Sequence, residues 1–505
     1  MMFLPEIILG PPGTGKTTSL LNIVEQELNN GVPPDRIAYV SFTRKAAEEA
    51  CERAMKKFGL TRSQFPYFRT IHSLCFRLLG LRRTEVFADE KVQEFANWIG
   101  IRISGRYTED DTLYGLDDGD KILFIENLSR IKNIPIRTLY NDLTINMPWA
   151  AVDRVLRGLK LFKQENGLID FTDMLEQFLS IGQSPNIEVL LCDEVQDQSP
   201  IQWQVIEKLS KNTRRVVLGG DDDQSIYEWS GADIDRIISQ PGKVTILENS
   251  YRVPRAIQSL STSIISRVKH RRSKEWFPRD ADGEINRCKS FYAVDLSGKD
   301  LLVLVRNTYL LKEIIEPELR RQGVIYEKHG YLSIKDNLLK AIIDWENLRN
   351  GYRITVADCR NMYLHMLDNV GIVKGFKKLP MFNDPAELID YSKLTSEGGL
   401  LVRQDQIWHE ALGKIPANDR SYIIAARKRG ERFLARPRVR ISTIHTAKGG
   451  EADHVILLKE QAKKTNLEMQ NALDSEARVW YVGTTRAREK LSIVESNSKY
   501  FYPYV

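Results

Sequence analysis

Residues near the amino terminus combine glycines, a lysine and a threonine in the spacing of a phosphate-binding loop. The segment Gly10-Pro11-Pro12-Gly13-Thr14-Gly15-Lys16-Thr17 follows the apolar, strand-like run 6–9 and precedes a helix-like run, 18–28. Glycines allow backbone N–H groups to close around phosphates, Lys16 supplies a positive charge, and the Thr17 hydroxyl can ligate Mg²⁺. The pattern therefore predicts nucleotide binding.

A second apolar run, residues 187–192, ends in the acidic pair Asp193 and Glu194. At the carboxyl end of a buried strand, Asp193 is suited to hold a Mg²⁺ shell, directly or through water. Glu194 is suited to orient and deprotonate an attacking water. The pair predicts hydrolysis of the nucleotide that the loop binds.

A third apolar run, residues 216–220, leads into three aspartates and then Gln224, Tyr227 and Trp229. Three adjacent acids are typical of a solvated loop, but a glutamine and two aromatic residues directly after a strand favour a functional segment. Gln224 is suited to sense a γ-phosphate. The faces of Tyr227 and Trp229 can stack on nucleic-acid bases.

Composition excludes several classes of protein. The chain has 505 residues, 42% hydrophobic and 28% charged, which predicts a globular protein of two to four domains. No apolar run approaches the roughly 18 residues that a membrane helix needs, and the first residues do not have the pattern of a signal peptide. We therefore expect a cytoplasmic protein without membrane contact. Five scattered cysteines without metal-binding spacing are expected to be free, buried thiols.

Nine segments, in order along the chain, resemble the motifs of superfamily 1 helicases of the UvrD/Rep/PcrA type. They are the phosphate loop and residues 41–47, 70–74, 169–175, 193–197, 220–229, 247–252, 442–451 and 481–487. The resemblance implies an α/β fold with two RecA-like P-loop NTPase domains, each with a parallel sheet and a mainly helical insertion. It also implies that ATP and Mg²⁺ are bound between these domains.

The resemblance assigns roles to residues that are distant in sequence. Arg252 and Arg486 would reach the γ-phosphate, with Arg486 as an arginine finger in a helix-like run, 475–490. Tyr251 would stack on adenine, and Glu451 would reach the ribose. The predicted catalytic residues are Lys16, Glu194, Gln224, Arg252 and Arg486; the predicted nucleotide-binding residues are Gly10, Pro11, Pro12, Gly13, Thr14, Gly15, Lys16, Thr17, Thr18, Tyr251 and Glu451; the predicted metal ligands are Thr17 and Asp193.

DNA is expected to cross loops at the carboxyl ends of the strands. Aromatic side chains more often pack in a core than stack on bases, and Trp229 is the best candidate for stacking. The predicted DNA-binding residues are Phe42, Thr43, His72, Tyr227, Trp229 and His445, of which the four aromatic residues before His445 are expected in loops. Two basic clusters, residues 267–272 and 427–432, either follow phosphates or are solvated faces.

The spacing of the motifs predicts four domains. The first RecA-like domain, 1A, comprises residues 1–83 and 167–246, and its helical insertion 1B comprises 84–166. The second RecA-like domain, 2A, comprises 247–335 and 436–505, with a short insertion 2B at 336–435. Helix-like periodicity over 338–348 and the glycine pair at 398–399 support this second insertion.

The resemblance implies an ATP-dependent DNA helicase that moves 3′ to 5′ on single-stranded DNA and unwinds duplexes. Three alternatives stay open: a translocase that strips proteins or loads partners, a non-motor clamp gated by nucleotide, and an enzyme acting on RNA. Expected partners are single-stranded DNA, duplex DNA with a single-stranded tail, and replication or repair proteins. The expected form is a monomer in the cytoplasm of a bacterial or phage-infected cell. The preference for ATP over GTP stays open, because nine residues precede Gly10 and the glutamine motif of relatives is not among them.

Overall fold

The computed structural model describes residues 4–42, 44–104, 117–142, 145–433, 435–470 and 472–505, without the side chains of Lys45 and Asp142. The chain divides into two compact units. One contains Met1–Arg287 with Thr443–Val505, and the other contains Cys288–Ser442. The four domain boundaries proposed from sequence remain a prediction.

Fifteen strands lie within the described part of the chain. In chain order they are β1 (Glu6–Leu9), β2 (Ile37–Ser41), β3 (Phe68–Thr70), β4 (Val189–Asp193), β5 (Arg215–Gly220), β6 (Lys243–Ile246), β7 (Glu284–Cys288), β8 (Leu301–Val305), β9 (Tyr326–Lys328), β10 (Tyr331–Leu332), β11 (Ile354–Thr355), β12 (Leu388–Ile389), β13 (Val439–Thr443), β14 (Ala452–Leu458) and β15 (Ala487–Val494).

Twenty α-helices lie in the same described ranges. They are α1 (Lys16–Asn29), α2 (Arg44–Phe58), α3 (Ile71–Leu78), α4 (Glu90–Ile99), α5 (Asp118–Lys132), α6 (Ile136–Asp142), α7 (Trp149–Glu165), α8 (Phe171–Ser180), α9 (Pro200–Ser210), α10 (Ile234–Ser239), α11 (Arg255–Ile265), α12 (Thr308–Leu310), α13 (Glu316–Arg321), α14 (Asp336–Arg349), α15 (Val356–Leu364), α16 (Tyr391–Ser396), α17 (Trp408–Ala411), α18 (Ala417–Arg429), α19 (Lys463–Met469) and α20 (Leu473–Thr484). Helices that alternate with parallel strands confirm the predicted α/β class.

The first unit is built on a parallel sheet with the strand order β3-β2-β4-β5-β1-β6. Successive residues of its central strands point to opposite faces, and both faces are buried, as parallel sheets require. Ile8, Tyr39 and Leu191 pack in one core with residues of α1 and α2. The other face, including Ile7 and Leu190, packs against α3, α8 and α9.

The strand register brings four loops to one edge of this sheet. Leu9 of β1 is aligned with Gly220 of β5, and Ser41 of β2 is aligned with Asp193 of β4. Each strand therefore ends at the same edge, where the phosphate loop and the segments after Ser41, Asp193 and Gly220 begin. The sheet thus positions the phosphate loop and the motifs at 41–47, 193–197 and 220–229 at one edge.

Helices α4 to α7 form a separate core within the first unit. Phe87, Phe95, Ile122, Val155 and Phe162 are among its buried residues. These helices lie within residues 84–166, the range predicted for insertion 1B. Of the acidic stretch 108–120 in that insertion, only 117–120 belong to the described residues, at the start of α5.

The carboxyl-terminal part of the first unit contains strands in the order β14-β15-β7 and the helix α20. The helix predicted through residue 490 is wrong beyond Thr484, because residues from Ala487 onward pair in parallel with β14 and bury Leu491 and Ile493. Arg486 consequently lies in the turn between α20 and β15.

The aromatic carboxyl-terminal segment packs against α20. The ring of Tyr502 is buried and stacks on Trp480, with centroids 4.8 Å apart and planes 7° apart. The guanidinium of Arg267 lies 3.8 Å from the ring centroid of Tyr504. Tyr502 and Val505 of this segment are therefore part of the core.

Tyr502→Ala should lower the free energy of unfolding by about 3 to 5 kcal/mol, because it removes a buried aromatic ring and leaves a cavity beside Trp480. Urea titration compared with the unmodified chain measures the change. The control is Tyr331→Ala, which truncates a side chain that is 78% exposed and should change stability by less than about 0.5 kcal/mol. Equal stability of both variants would contradict the structural role of Tyr502.

The second unit contains strands in the order β10-β9-β13-β8 and a two-stranded pairing of β11 with β12. Its core is formed largely by α14, α15 and α18, with Trp345, Tyr363 and Tyr422 among the buried residues. Helix α14 confirms the helix predicted over 338–348.

The cysteines are free thiols, and four of them are buried, as the sequence predicts. Cys288 is half-buried. Within the ranges that the structure covers, no helix combines the length and the apolar character required to cross a bilayer.

Candidate active site

The phosphate loop joins β1 to α1 and depends on two glycines with left-handed backbone. Gly13 has φ +74° and Gly15 has φ +80°, conformations that disfavour other residues. A Cβ on Gly13 would lie 2.4 Å from Cβ of Arg252 and 2.9 Å from Oγ of Ser250. Gly13 therefore also permits the close approach of the segment that carries Tyr251 and Arg252. Because α1 begins at Lys16, its amino-terminal N–H groups face the loop.

Oxygen donors suited to Mg²⁺ meet at the end of β4. The Thr17 hydroxyl donates to Asp193 Oδ2 at 3.0 Å, and the Tyr39 hydroxyl donates to the same oxygen at 2.7 Å. Burial raises the pKa of Asp193 despite the nearby charge of Lys16. Carboxylate and hydroxyl oxygens are the hard ligands that Mg²⁺ prefers, so Thr17 and Asp193 fit the predicted metal role.

Glu194 is held beside the lysine of the phosphate loop. Lys16 Nζ donates to Glu194 Oε1 at 2.7 Å and lies 3.7 Å from Asp193 Oδ1. Burial opposes ionisation of Glu194, but the charges of Lys16 and Lys448 outweigh it and lower its pKa to about 2. Glu194 also has φ +56°, a strained conformation for a residue with a side chain. At neutral pH this carboxylate is ionised and can accept a proton.

The side chain of Gln224 connects Asp221, after β5, with Arg486, after α20. Its Nε2 donates to Asp221 Oδ2 at 2.7 Å, and its Oε1 accepts from Arg486 Nη2 at 3.1 Å. Both partners are buried. The amide therefore lies between the segment after β5 and the turn after α20.

Arg486 is a buried cation that forms no ion pair with a carboxylate in the described part of the chain, although the charges of Glu194 and Glu451 act on it. It is 1% exposed, and its hydrogen bonds go to Gln224, to the carbonyls of Val482 and Gly450, and to a threonine hydroxyl. Burial and the charge of Arg252 lower its pKa to about 9, which leaves it protonated at neutral pH. A phosphate oxygen would supply the missing negative charge.

The residues predicted for nucleotide binding line one cavity of about 580 Å³. Tyr251 is 79% exposed at its edge, and its N–H donates to the Gly13 carbonyl at 2.8 Å. The guanidinium of Arg252 pairs with Glu451. The lining includes Gly10, Pro11, Gly13, Thr14, Gly15, Lys16, Thr17, Thr18, Glu194, Gln224, Tyr251, Arg252, Glu451 and Arg486.

Two predicted residues are absent from that lining but lie next to it. The Pro12 carbonyl accepts from the Ser250 hydroxyl at 2.7 Å, and Asp193 lies beneath Thr17 and Lys16. The structure therefore brings together the whole predicted nucleotide set.

Sequence reasoning assigned no role to Lys448, although it lies in the quoted segment 442–451. Its Nζ is 2.5 Å from Asp197 Oδ2 and donates to the Gln224 carbonyl at 2.6 Å. Burial raises the pKa of Asp197 to about 6 against the charge of Lys448. Nothing in the sequence indicated Tyr39, because its contact with Asp193 depends on strand pairing.

The predicted DNA-contacting aromatic residues differ in accessibility. Phe42 and Tyr227 stack on each other with centroids 5.4 Å apart, and Tyr227 donates to the His445 carbonyl at 3.1 Å. Trp229 is 38% exposed. The side chain of His445 is only 1% exposed, so we assign it a packing role instead of direct contact with DNA.

The prediction that His72 lies in a loop is wrong. His72 is the second residue of α3, because that helix follows β3 directly. Its ring meets the edge of Phe171 at 5.9 Å, and burial lowers its pKa to about 4. Thr43 lies outside the described residues.

The basic cluster 267–272 is used largely for internal contacts. Arg271 Nε donates to Asp223 at 2.7 Å, and the Arg272 side chain donates to the backbone carbonyls of Ile238 and Gln240. The side chains of Arg271 and Arg272 are thus used for internal contacts, whereas Arg267, Lys269 and His270 are exposed. In the second cluster, Arg427 and Arg432 line a cavity in the second unit.

Two family descriptions match the sequence. Residues 4–244 match the UvrD/REP helicase N-terminal domain, and residues 422–498 match the UvrD-like helicase C-terminal domain. Together these matches cover more than half of the chain.

Similar proteins include a probable DNA helicase II homologue of Mycoplasma capricolum, which is 27% identical over 61% of this chain and 46% of the relative. The ATP-dependent DNA helicase PcrA of Staphylococcus aureus is 26% identical over 71% of this chain and 50% of the relative. The chain thus spans about half the length of these relatives. Among solved structures, an arterivirus helicase, nonstructural protein 10, covers 98% of this chain and 60% of its own at 11% identity, with a TM-score of 0.35, too low to carry an argument.

The ordered motifs, the convergence of the phosphate loop with two distant arginines, and both domain matches lead to one conclusion. This chain belongs to the UvrD/Rep family of helicases, with RecA-like P-loop domains.

Proposed function

We propose that this chain is an ATP-dependent DNA helicase that moves 3′ to 5′ on single-stranded DNA and unwinds duplexes. The observation that carries the proposal is the position of Arg486. A buried arginine with neutral acceptors lies in the same cavity as the phosphate-binding lysine, which supports contact of both with one triphosphate. The direction of movement rests on family resemblance.

In the proposed reaction, Lys16 exchanges the Glu194 carboxylate for oxygens of the β- and γ-phosphates. Glu194 then accepts a proton from water as the water oxygen bonds to the γ-phosphorus and the bond to the β-phosphate oxygen breaks. Gln224 and Arg486 stabilise charge on the γ-phosphate. Mg²⁺, held by Thr17 and Asp193, would neutralise charge on the phosphates.

Movement along DNA would follow from changes in the contacts of the segment after β5 when nucleotide binds or is hydrolysed. Gln224 and Trp229 lie in that one short segment, so a shift on the nucleotide side can reach the base-facing side. Trp229 is the proposed stacking platform, with Phe42 and Tyr227 beside it.

ATP turnover and strand separation on duplexes with a 3′ or a 5′ tail test this function. Turnover stimulated by single strands and unwinding of the 3′-tailed duplex are expected. Lys16→Ala is the negative control, because it removes the charge that contacts the phosphates. Absence of DNA-stimulated turnover in the unmodified chain would refute the proposal.

A translocase that strips proteins or loads partners without unwinding is the second candidate, because it would use the same nucleotide site. It predicts ATP-dependent displacement of a protein from a single strand together with failure on every tailed duplex. The two functions are therefore separated by the unwinding assay.

Trp229→Ala should reduce the stimulation of ATP turnover by single-stranded DNA and weaken strand binding by about 1 to 3 kcal/mol, the value of one base-stacking contact. ATP binding measured without DNA should stay unchanged. Trp98→Ala, which truncates an exposed tryptophan of α4, is the matched control. Full stimulation in the Trp229 variant would show that the platform lies elsewhere.

A further inference from the structure

A lysine outside the proposed catalytic set is surrounded by the three aspartates that follow β5. Lys274 Nζ lies 3.1 Å from Asp221 Oδ1 and 3.0 Å from Asp223 Oδ2, and it also contacts Asp222. All four residues are buried. Burial of three carboxylates requires a cation among them, and Lys274 provides it.

The hydrogen bonds from this cluster to the nucleotide site have a fixed direction. The guanidinium of Arg486 can only donate hydrogen bonds. The side-chain amide of Gln224 must therefore present Oε1 to Arg486 and its NH₂ group to Asp221. This arrangement requires Asp221 to accept, which an ionised carboxylate does. A donor at Asp221 Oδ2 would turn the amide and direct its NH₂ group at the guanidinium.

We propose that Lys274 is a positioning residue for ATP hydrolysis: it keeps Asp221 a hydrogen-bond acceptor, and thereby orients the Gln224 amide so that its oxygen holds Arg486. The inference rests on the proposed ATPase function. It gives the lysine an effect on turnover that is separate from its contribution to folding.

The protonation state of Asp221 is sensitive to the charge of Lys274. Burial raises its pKa to about 6 although Lys274 opposes the rise, and repulsion from Asp223 and Asp222 adds to burial. Loss of the lysine would raise the pKa further, so Asp221 would be protonated at neutral pH and ionised only at alkaline pH. The charged or titratable groups that bear on Asp221 are Lys16, Asp222, Asp223, Lys274 and Tyr481, and Arg271 pairs with Asp223.

Two variants separate positioning from folding. Lys274→Met should lower kcat for ATP about 10- to 100-fold at neutral pH, the usual loss when a residue that orients a functional group without touching the substrate is removed. KM should change less than about threefold. Its kcat should recover as pH rises from about 7 to 9, because Asp221 then ionises. Lys274→Arg, which keeps the charge, should restore much of the activity.

Asp221→Asn provides the test that does not depend on removing the lysine. The asparagine oxygen would face Lys274 and the Asp223 N–H, which leaves its NH₂ group opposed to Gln224. This variant also relieves the crowding of three acids, so it should fold. We expect a similar loss of kcat without recovery at high pH.

Arg271→Met is the matched control, because Arg271 pairs with Asp223 and has no described contact with Asp221. It should retain kcat within about threefold, with the pH profile of the unmodified chain. If Asp221→Asn keeps normal kcat, or if Arg271→Met reproduces the loss and the pH shift, the positioning role is overturned although ATPase function stands. An unmodified chain without ATP turnover would overturn both.

Discussion

Arg486→Ala should lower ATP turnover about 10³- to 10⁵-fold, the range found for arginine fingers. The physical reason is that the guanidinium is a preorganised positive charge in a buried site, where charge on the transferring phosphoryl group is poorly screened. ATP binding should weaken much less, because Lys16 and the phosphate loop remain. Single-turnover hydrolysis and equilibrium binding of a non-hydrolysable ATP analogue measure the two effects separately.

Truncation of Arg486 also leaves a hole beside Gln224, so a loss of folding must be distinguished from a loss of chemistry. Arg486→Lys retains the charge but not the forked geometry, and it should fold while recovering little activity. Arg287→Ala removes an exposed arginine that pairs with Glu495 and should keep normal turnover. Hydrolysis near the normal rate in a folded Arg486 variant would contradict its proposed role.

Glu194→Gln should lower kcat for ATP about 10²- to 10⁴-fold, because the amide cannot accept the proton of the attacking water. The shape of the side chain is kept, and a neutral partner for Lys16 should leave nucleotide affinity equal or higher. With a pKa of about 2 before nucleotide binds, Glu194 is ionised throughout the neutral range, so its own titration should cause no loss of kcat/KM between about pH 5 and 8.

The control for this variant is Glu188→Gln, immediately before the other end of β4. Glu188 pairs with Arg36 at an exposed site, and its replacement should leave turnover unchanged. Binding of ATP without turnover by Glu194→Gln, together with normal activity of the control, is the expected pair of results. Equal activity of the two variants would move the proton acceptor elsewhere.

The sequence was sufficient for the elements that local pattern determines. The glycines and lysine of the phosphate loop, the apolar strands before Asp193 and Asp221, and the helix α14 follow from spacing and periodicity alone. Family membership was also predictable, because nine motifs in a fixed order constrain one another. These features are encoded over short stretches of chain, so no distant contact is needed to recognise them.

Local pattern was insufficient where a distant strand decides the conformation. The run ending in residue 490 has helical periodicity, yet residues from Ala487 onward form β15 because β14 offers a parallel partner. The rings of His72 and His445 are chemically suited to stacking on bases. In the folded chain, however, His445 is buried and His72 lies at the start of a helix.

What the sequence alone determined is the identity of the chemical groups: a phosphate loop, an acidic pair, a glutamine and two arginines. Only the tertiary structure decided which of them meet, because Arg486 reaches Gln224 across 262 positions of the chain and Lys274 lies among three aspartates that precede it by about 50 residues. Burial then sets how each charge behaves. A residue list cannot show whether an arginine is solvated or enclosed, and enclosure is what makes Arg486 a site for an anion.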